Sequence, residues 1–154
     1  MIAANPPNPK LTPEEYFAWE EKQLEKHEYI DGEVYLLNGR DKRHSRRSKN
    51  HSLISVRLIT LYANHLESSP CETGNSDLRV NIAGTKDYTY PDVSVTCDER
   101  DKTTTQYITY PCLIVEVLSD STEAYDRGGK FRLYQNNPVL QDYLLVSTAR
   151  IEMD

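Results

Sequence analysis

An α/β fold, with a central mixed β-sheet flanked by helices, is what this 154-residue sequence predicts. Three observations carry that expectation. Two short apolar runs, "VSV" and "CLIVEVL", have strand length, and each comes with a carboxylate, Asp92 opening the first and Glu116 lying inside the second. Segments of helical apolar periodicity, starting near residues 12 and 51, alternate with the strand runs, and a third helical stretch follows Glu116. The hydrophobic fraction of 38% suits one domain with a moderate core.

Composition narrows the function. No apolar run approaches bilayer length, and "MIAANPPNPK" lacks the cationic start and apolar core of a secretory signal, so no membrane association is expected and the cytoplasm is the default location. The cysteines Cys71, Cys97 and Cys112 are odd in number and widely spaced, which reads as buried reduced thiols rather than a disulfide framework or zinc cage. A net charge of -6 argues against a nonspecific nucleic-acid coat, yet it leaves room for an acidic metal site beside a local basic patch.

In chain order, residues 1–10 are rich in Pro and Asn and read as an arm, and residues 11–154 as the domain. A helix follows with Thr12 as N-cap, Pro13 at its first position and Glu15 closing a capping box; Tyr16, Trp19, Leu24 and Phe17 supply its apolar side. "YIDGEVYLL" is a hairpin turning at Asp31-Gly32. Glu33, just past the turn, is either a solvated edge charge or an additional carboxylate aimed at a site. The block "RDKRHSRRSK" holds Arg43, Arg46 and Arg47 and is either a hydrated loop or a phosphate-contacting surface. Asn50 is positioned to cap a helix from His51 to Leu66 with Leu53, Ile54, Leu58, Ile59 and Leu61 as its broad apolar face. His51 itself is open to three roles: inert at the surface, hydrogen-bonded in the core, or orienting a carboxylate.

Leu78, Val80 and Ile82 alternate with polar residues as one strand of a hairpin, which turns around Gly84 and returns as Asp92 to Cys97, with Asp77 and Asp92 at the two strand starts. Pro91 holds Tyr90 extended. "YPCLIVEVL" reads as a central strand covered on both faces. Glu116 within it needs a partner, because an unpaired buried carboxylate is costly. Gly128-Gly129 before Lys130 serve either close backbone approach or a loop from which the last helix starts; "DYLLV" is a final strand.

Two carboxylates on neighbouring strands can hold one Mg2+ or Mn2+, with the Val117 carbonyl and waters filling a hard-oxygen shell. Lys130 or a substrate phosphate would help to activate an attacking water against a phosphodiester. The bland alternative has Asp92 capping a turn, Glu116 paired with Arg127 or Arg132, and Lys130 solvated.

"YPDVSV", "LIVEVLSDSTEAYDRGGKFRLY", "DYLLV" and "HEYIDGEVYLL" resemble the restriction endonuclease family once catalogued as domain of unknown function 820, within the PD-(D/E)XK nuclease superfamily. The resemblance spans about residues 11 to 148. It implies a restriction-endonuclease-like fold, Asp92 and Glu116 as metal-binding carboxylates, Glu33 as an additional acidic site residue, Asp77 beside the site, and His51 as the histidine opening the first core helix. One departure is informative: Leu118 stands two residues after Glu116, where the superfamily has its lysine, and the resemblance assigns that role to Lys130 on the following helix. The family usually continues past "YLLV" with another strand or hairpin, which this sequence would lack. DNA as partner and a homodimer cutting both strands are the implied context. A non-catalytic nucleic-acid-binding relative, or an enzyme acting on a small phosphorylated substrate, are the competing functions.

Overall fold

The computed structural model describes residues 10–37 and 48–148. Helix α1 (Pro13–Glu20) starts as its sequence requires: the Thr12 hydroxyl accepts from the Glu15 amide and the Glu15 carboxylate accepts from the Thr12 amide. It buries Tyr16 against Tyr29, Val34 and Tyr88. Leu24, expected on this helix's apolar side, lies beyond its end and is fully exposed, because the helix stops at Glu20.

Strands β1 (His27–Ile30) and β2 (Glu33–Leu36) form the expected hairpin. Its turn puts Asp31 at φ 50° and Gly32 at φ 82°, the left-handed pair that a two-residue hairpin loop demands. Helix α2 (Lys49–Leu66) begins earlier than expected. Ser48, not Asn50, is the N-cap, its hydroxyl accepting from the His51 amide. The α2 face toward the protein buries His51 and Ser55, while Leu53 and Leu61, expected to be apolar-face residues, are exposed.

The remaining strands are β3 (Glu72–Asn75), β4 (Arg79–Asn81), β5 (Tyr88–Thr89), β6 (Val93–Thr96), β7 (Tyr107–Ile108), β8 (Pro111–Leu118) and β9 (Asp142–Ser147). They divide between two sheets, one ordered β2-β1-β5-β4-β7 and one ordered β3-β6-β8-β9. The second is the central mixed sheet: β6 runs antiparallel to β3 and β8, and β9 runs parallel to β8. The expected pairing of the Leu78–Ile82 segment with Asp92–Cys97 does not occur. β4 pairs instead with β5, and β6 leaves for the other sheet, because Pro91 interrupts the chain between them.

Helix α2 packs on β3, β6 and β8. A third helical stretch, α3 (Glu123–Tyr125), a π-helical turn (Asp126–Lys130) and α4 (Phe131–Tyr134), covers the face of β8 that carries Ile114 and Glu116. Gly128 and Gly129 are therefore inside a helix rather than in a loop before it. A Cβ on Gly129 would lie 3.0 Å from the Tyr125 ring. Tyr134 joins Val80, Ile82, Ile108 and Ile114 in one core cluster, which ties the helix to both sheets.

The cysteine expectation is overturned. Cys71 and Cys97 form a disulfide, and Cys112 is free with its Sγ 3.8 Å from that of Cys97. The register explains the pairing: Glu72 faces Thr96 across β3 and β6, so the residues one step outside, Cys71 and Cys97, face each other as well. The register of β6 and β8 shifts between Val95 and Thr96, and Cys112 falls at that irregularity.

Candidate active site

Asp92, Glu116 and Lys130 meet in one pocket, which His51, Tyr90, Tyr125 and Asp126 also line. Each arrives for a local reason. Asp92 follows Pro91 at the entrance to β6, and its Oδ2 accepts from the Val117 amide at 2.8 Å, locking it to β8 one residue past Glu116. His51, on the first turn of α2, places Nε2 3.3 Å from the same Oδ2, and its Nδ1 lies 3.5 Å from the Ser55 hydroxyl. His51 is buried with Ser55 and Asp92 beside it, so of the three roles open to it the inert surface position is the one the fold excludes.

Glu116 is 2% exposed and Lys130 3%, so neither charge is met by bulk water. Lys130 Nζ sits 2.9 Å from Glu116 Oε1 and donates to the Tyr90 carbonyl at 3.1 Å. Neither arginine considered as partner for Glu116 takes that position; Arg127 pairs with Glu123 on its own helix. Burial pushes the Glu116 acid well above its ordinary range, Lys130 opposing and Asp92 and Asp126 reinforcing the shift. Burial works against the Lys130 charge, but Glu116 and Glu28 outweigh it and hold the ammonium well above its usual pKa. These surroundings favour the charged form of Lys130, a hydrogen-bond donor to the Tyr90 carbonyl. Asp126 is pushed up as well, chiefly by burial.

Two residues that the sequence did not single out belong here. Glu28 on β1 is 1% exposed, with Oε1 3.4 Å from Lys130 Nζ and Oε2 accepting from the Tyr125 hydroxyl at 2.9 Å. Asp126 lies four residues before Lys130 in the segment "YDRGGK", whose acidic member was the available signal. Glu33 and Asp77 do not line the pocket. Glu33 is exposed next to the hairpin turn and accepts from the Tyr35 hydroxyl, and Asp77 is an exposed partner of Lys26. Arg43, Arg46 and Arg47 lie outside the described residues.

The donor set fits a hard divalent cation in chemistry. Glu116 Oε1 is buried with the Lys130 ammonium as its ion-pair partner, and Asp92 shares its pocket, which is the one- or two-carboxylate arrangement that Mg2+ completes with waters. Among the described residues no group of three or more His, Cys, Asp or Glu could hold a metal ion by itself.

The family model described as "Putative restriction endonuclease", Uma2, matches residues 13–153. The chain belongs to the Uma2 family. Its relatives include the uncharacterized protein slr1290 of Synechocystis sp. (strain ATCC 27184 / PCC 6803 / Kazusa), 64% identical across all of this chain and 78% of that protein. A second protein of that strain, sll1609, is 38% identical over 88% of this chain and 74% of its own length. In structure the chain resembles an Anabaena variabilis ATCC 29413 protein described as "a putative nuclease belonging to DUF820", with a TM-score of 0.66. At 16% identity, over 94% of this chain and 83% of the other, that likeness speaks for the fold alone. Uma2 membership and this architecture place the chain in the PD-(D/E)XK-like nuclease superfamily. Among the described residues of this Uma2 protein, no helix is long and apolar enough to cross a membrane.

Proposed function

We propose that the protein is a metal-dependent phosphodiester hydrolase acting on DNA as an endonuclease. The observation that carries this reading is the pocket in which two buried carboxylates from adjoining strands face one buried ammonium, Glu116 and Lys130 lying 2.9 Å apart. Asp92, Glu116 and the Val117 carbonyl would hold a single Mg2+ or Mn2+. That cation supplies charge neutralisation at the scissile phosphate. His51 orients Asp92 through its 3.3 Å contact, and the Val117 amide holds the same oxygen, so Asp92 is fixed before substrate arrives. Lys130, kept charged, stabilises the negative charge that develops on phosphoryl oxygen. Arg43, Arg46 and Arg47 would contact the DNA backbone, and a homodimer would present two such sites.

A second reading, a non-catalytic nucleic-acid-binding relative, is favoured by Glu33 lying exposed at the hairpin turn and outside the pocket. Plasmid cleavage in Mg2+ and Mn2+ titrations separates the two. On the hydrolase reading, cutting needs metal and disappears in Asp92→Ala and Glu116→Ala, whereas Lys130→Ala keeps metal binding and loses turnover. Equal cutting by wild type and both carboxylate variants removes the proposal. Neutralising Arg43, Arg46 and Arg47 should weaken DNA binding and flatten its salt dependence.

A further inference from the structure

We propose that Glu28 is a positioning residue, the standing counter-ion of Lys130, which releases Glu116 to take a divalent cation. The inference rests on the metal reading of the preceding subsection and extends it to a residue outside the pocket wall. Lys130 Nζ lies 2.9 Å from Glu116 Oε1, 3.1 Å from the Tyr90 carbonyl and 3.4 Å from Glu28 Oε1. Glu116 lines the pocket and Glu28 does not. Both of these Oε1 atoms are buried and each is ion-paired with Lys130 Nζ, so one ammonium is shared between two acids.

That arrangement sets up a competition. A cation that engages Glu116 draws it from Lys130, and the ammonium, 3% exposed, has little bulk water to turn to. With Glu28 present, the ammonium keeps a carboxylate when Glu116 changes partner. Without Glu28, freeing Glu116 leaves the buried ammonium with no ion-paired carboxylate among the described residues, a strongly unfavourable outcome. Glu28 is held for this role by the Tyr125 hydroxyl, which donates to its other oxygen at 2.9 Å. Tyr125 comes from the same helical stretch as Lys130, so counter-ion and ammonium are fixed to each other.

The test uses the full chain without DNA and follows Mn2+ binding by electron paramagnetic resonance of the free ion. Glu28→Gln should weaken Mn2+ roughly tenfold in the wild-type background, within the range for coupled neighbouring charges. In a Lys130→Met background the same substitution should have a clearly smaller effect, because the ammonium that competes for Glu116 is gone. The charge-balanced double variant also guards against failure of Glu28→Gln to fold. An equal loss in both backgrounds would mean that Glu28 acts on the cation directly, and an unchanged affinity in Glu28→Gln would mean that it does not act at all; either overturns the proposal. Thermal unfolding of the same four proteins in chelator decides the pairing without metal: Glu28→Gln must lower Tm only when Lys130 is present, and additive effects refute it. A wild type that binds no Mn2+ while this thermal coupling persists sinks the metal reading and the exchange of Glu116 with it, leaving the ion pair alone.

Discussion

The two ends of the Cys71–Cys97 disulfide should not be equivalent when mutated. Cross-linking residues 26 apart restricts the unfolded chain by about 3.5 kcal/mol on the loop-entropy relation. Cys97→Ala removes that contribution entirely. Cys71→Ala leaves Cys97 facing the free Cys112 thiol, Sγ to Sγ at 3.8 Å. Pairing those two closes a 15-residue loop and restores about 3 kcal/mol, for a net loss of about 0.5 kcal/mol. Urea denaturation under non-oxidising, non-reducing buffer after air oxidation gives the two losses, and peptide mapping under acid quench identifies the bond in Cys71→Ala. Equal losses in the two variants, or a Cys71→Ala protein with both remaining thiols free, would refute the argument. Burial raises the Cys112 thiol, so the new bond should form faster as pH is raised.

Three other outcomes follow from features already described. The fold favours the protonated Glu116, so its contribution to stability is complete below the ordinary value of 4.5 and is lost as pH rises toward the raised folded value. Metal-free wild type should therefore come closest to Glu116→Gln at low pH and fall behind it as pH rises above 4.5; wild type gaining on the variant in urea melts would show that the Lys130 pair dominates. Asp101 is buried and accepts from the Thr96 hydroxyl at 2.6 Å and the Thr109 and Tyr110 amides at 2.7 and 3.0 Å, so Asp101→Ala should lose about 3 kcal/mol in stability with Mn2+ affinity unchanged once folded. Thr12→Ala removes one half of the α1 capping box and should lower stability by about 1 kcal/mol, measured by thermal unfolding.

The elements whose signals are local were legible. Thr12, Pro13 and Glu15 specify a helix start within four residues, and Asp31-Gly32 specifies a turn within two. Glu116 was conspicuous because a charge inside an apolar run demands a partner. Glu28 gave no such signal: it sits in "HEYI", a strand too short and too polar for alternation to separate a buried face from an exposed one, although His27, Glu28 and Tyr29 are all buried. Glu33 drew attention instead, yet the hairpin register pairs it with Ile30 at the turn, where the side chain meets water. The disulfide was illegible for a different reason. Cys71 and Cys97 meet only through the β3–β6 register, and β3 itself, "ETGN", has none of the apolar character that marks a strand.

The π-helical turn has a consequence for reading relatives. A π turn accommodates one residue more than the α-helical turn it replaces. Asp126 to Lys130 therefore holds an insertion that the helix absorbs without a loop, and it sets the angular position from which Lys130 reaches Glu116. A relative with an unbroken α-helix here would deliver its ammonium from a neighbouring sequence position. Matching lysines column by column would then score such a protein as lacking the group, when only the count of residues in one turn has changed.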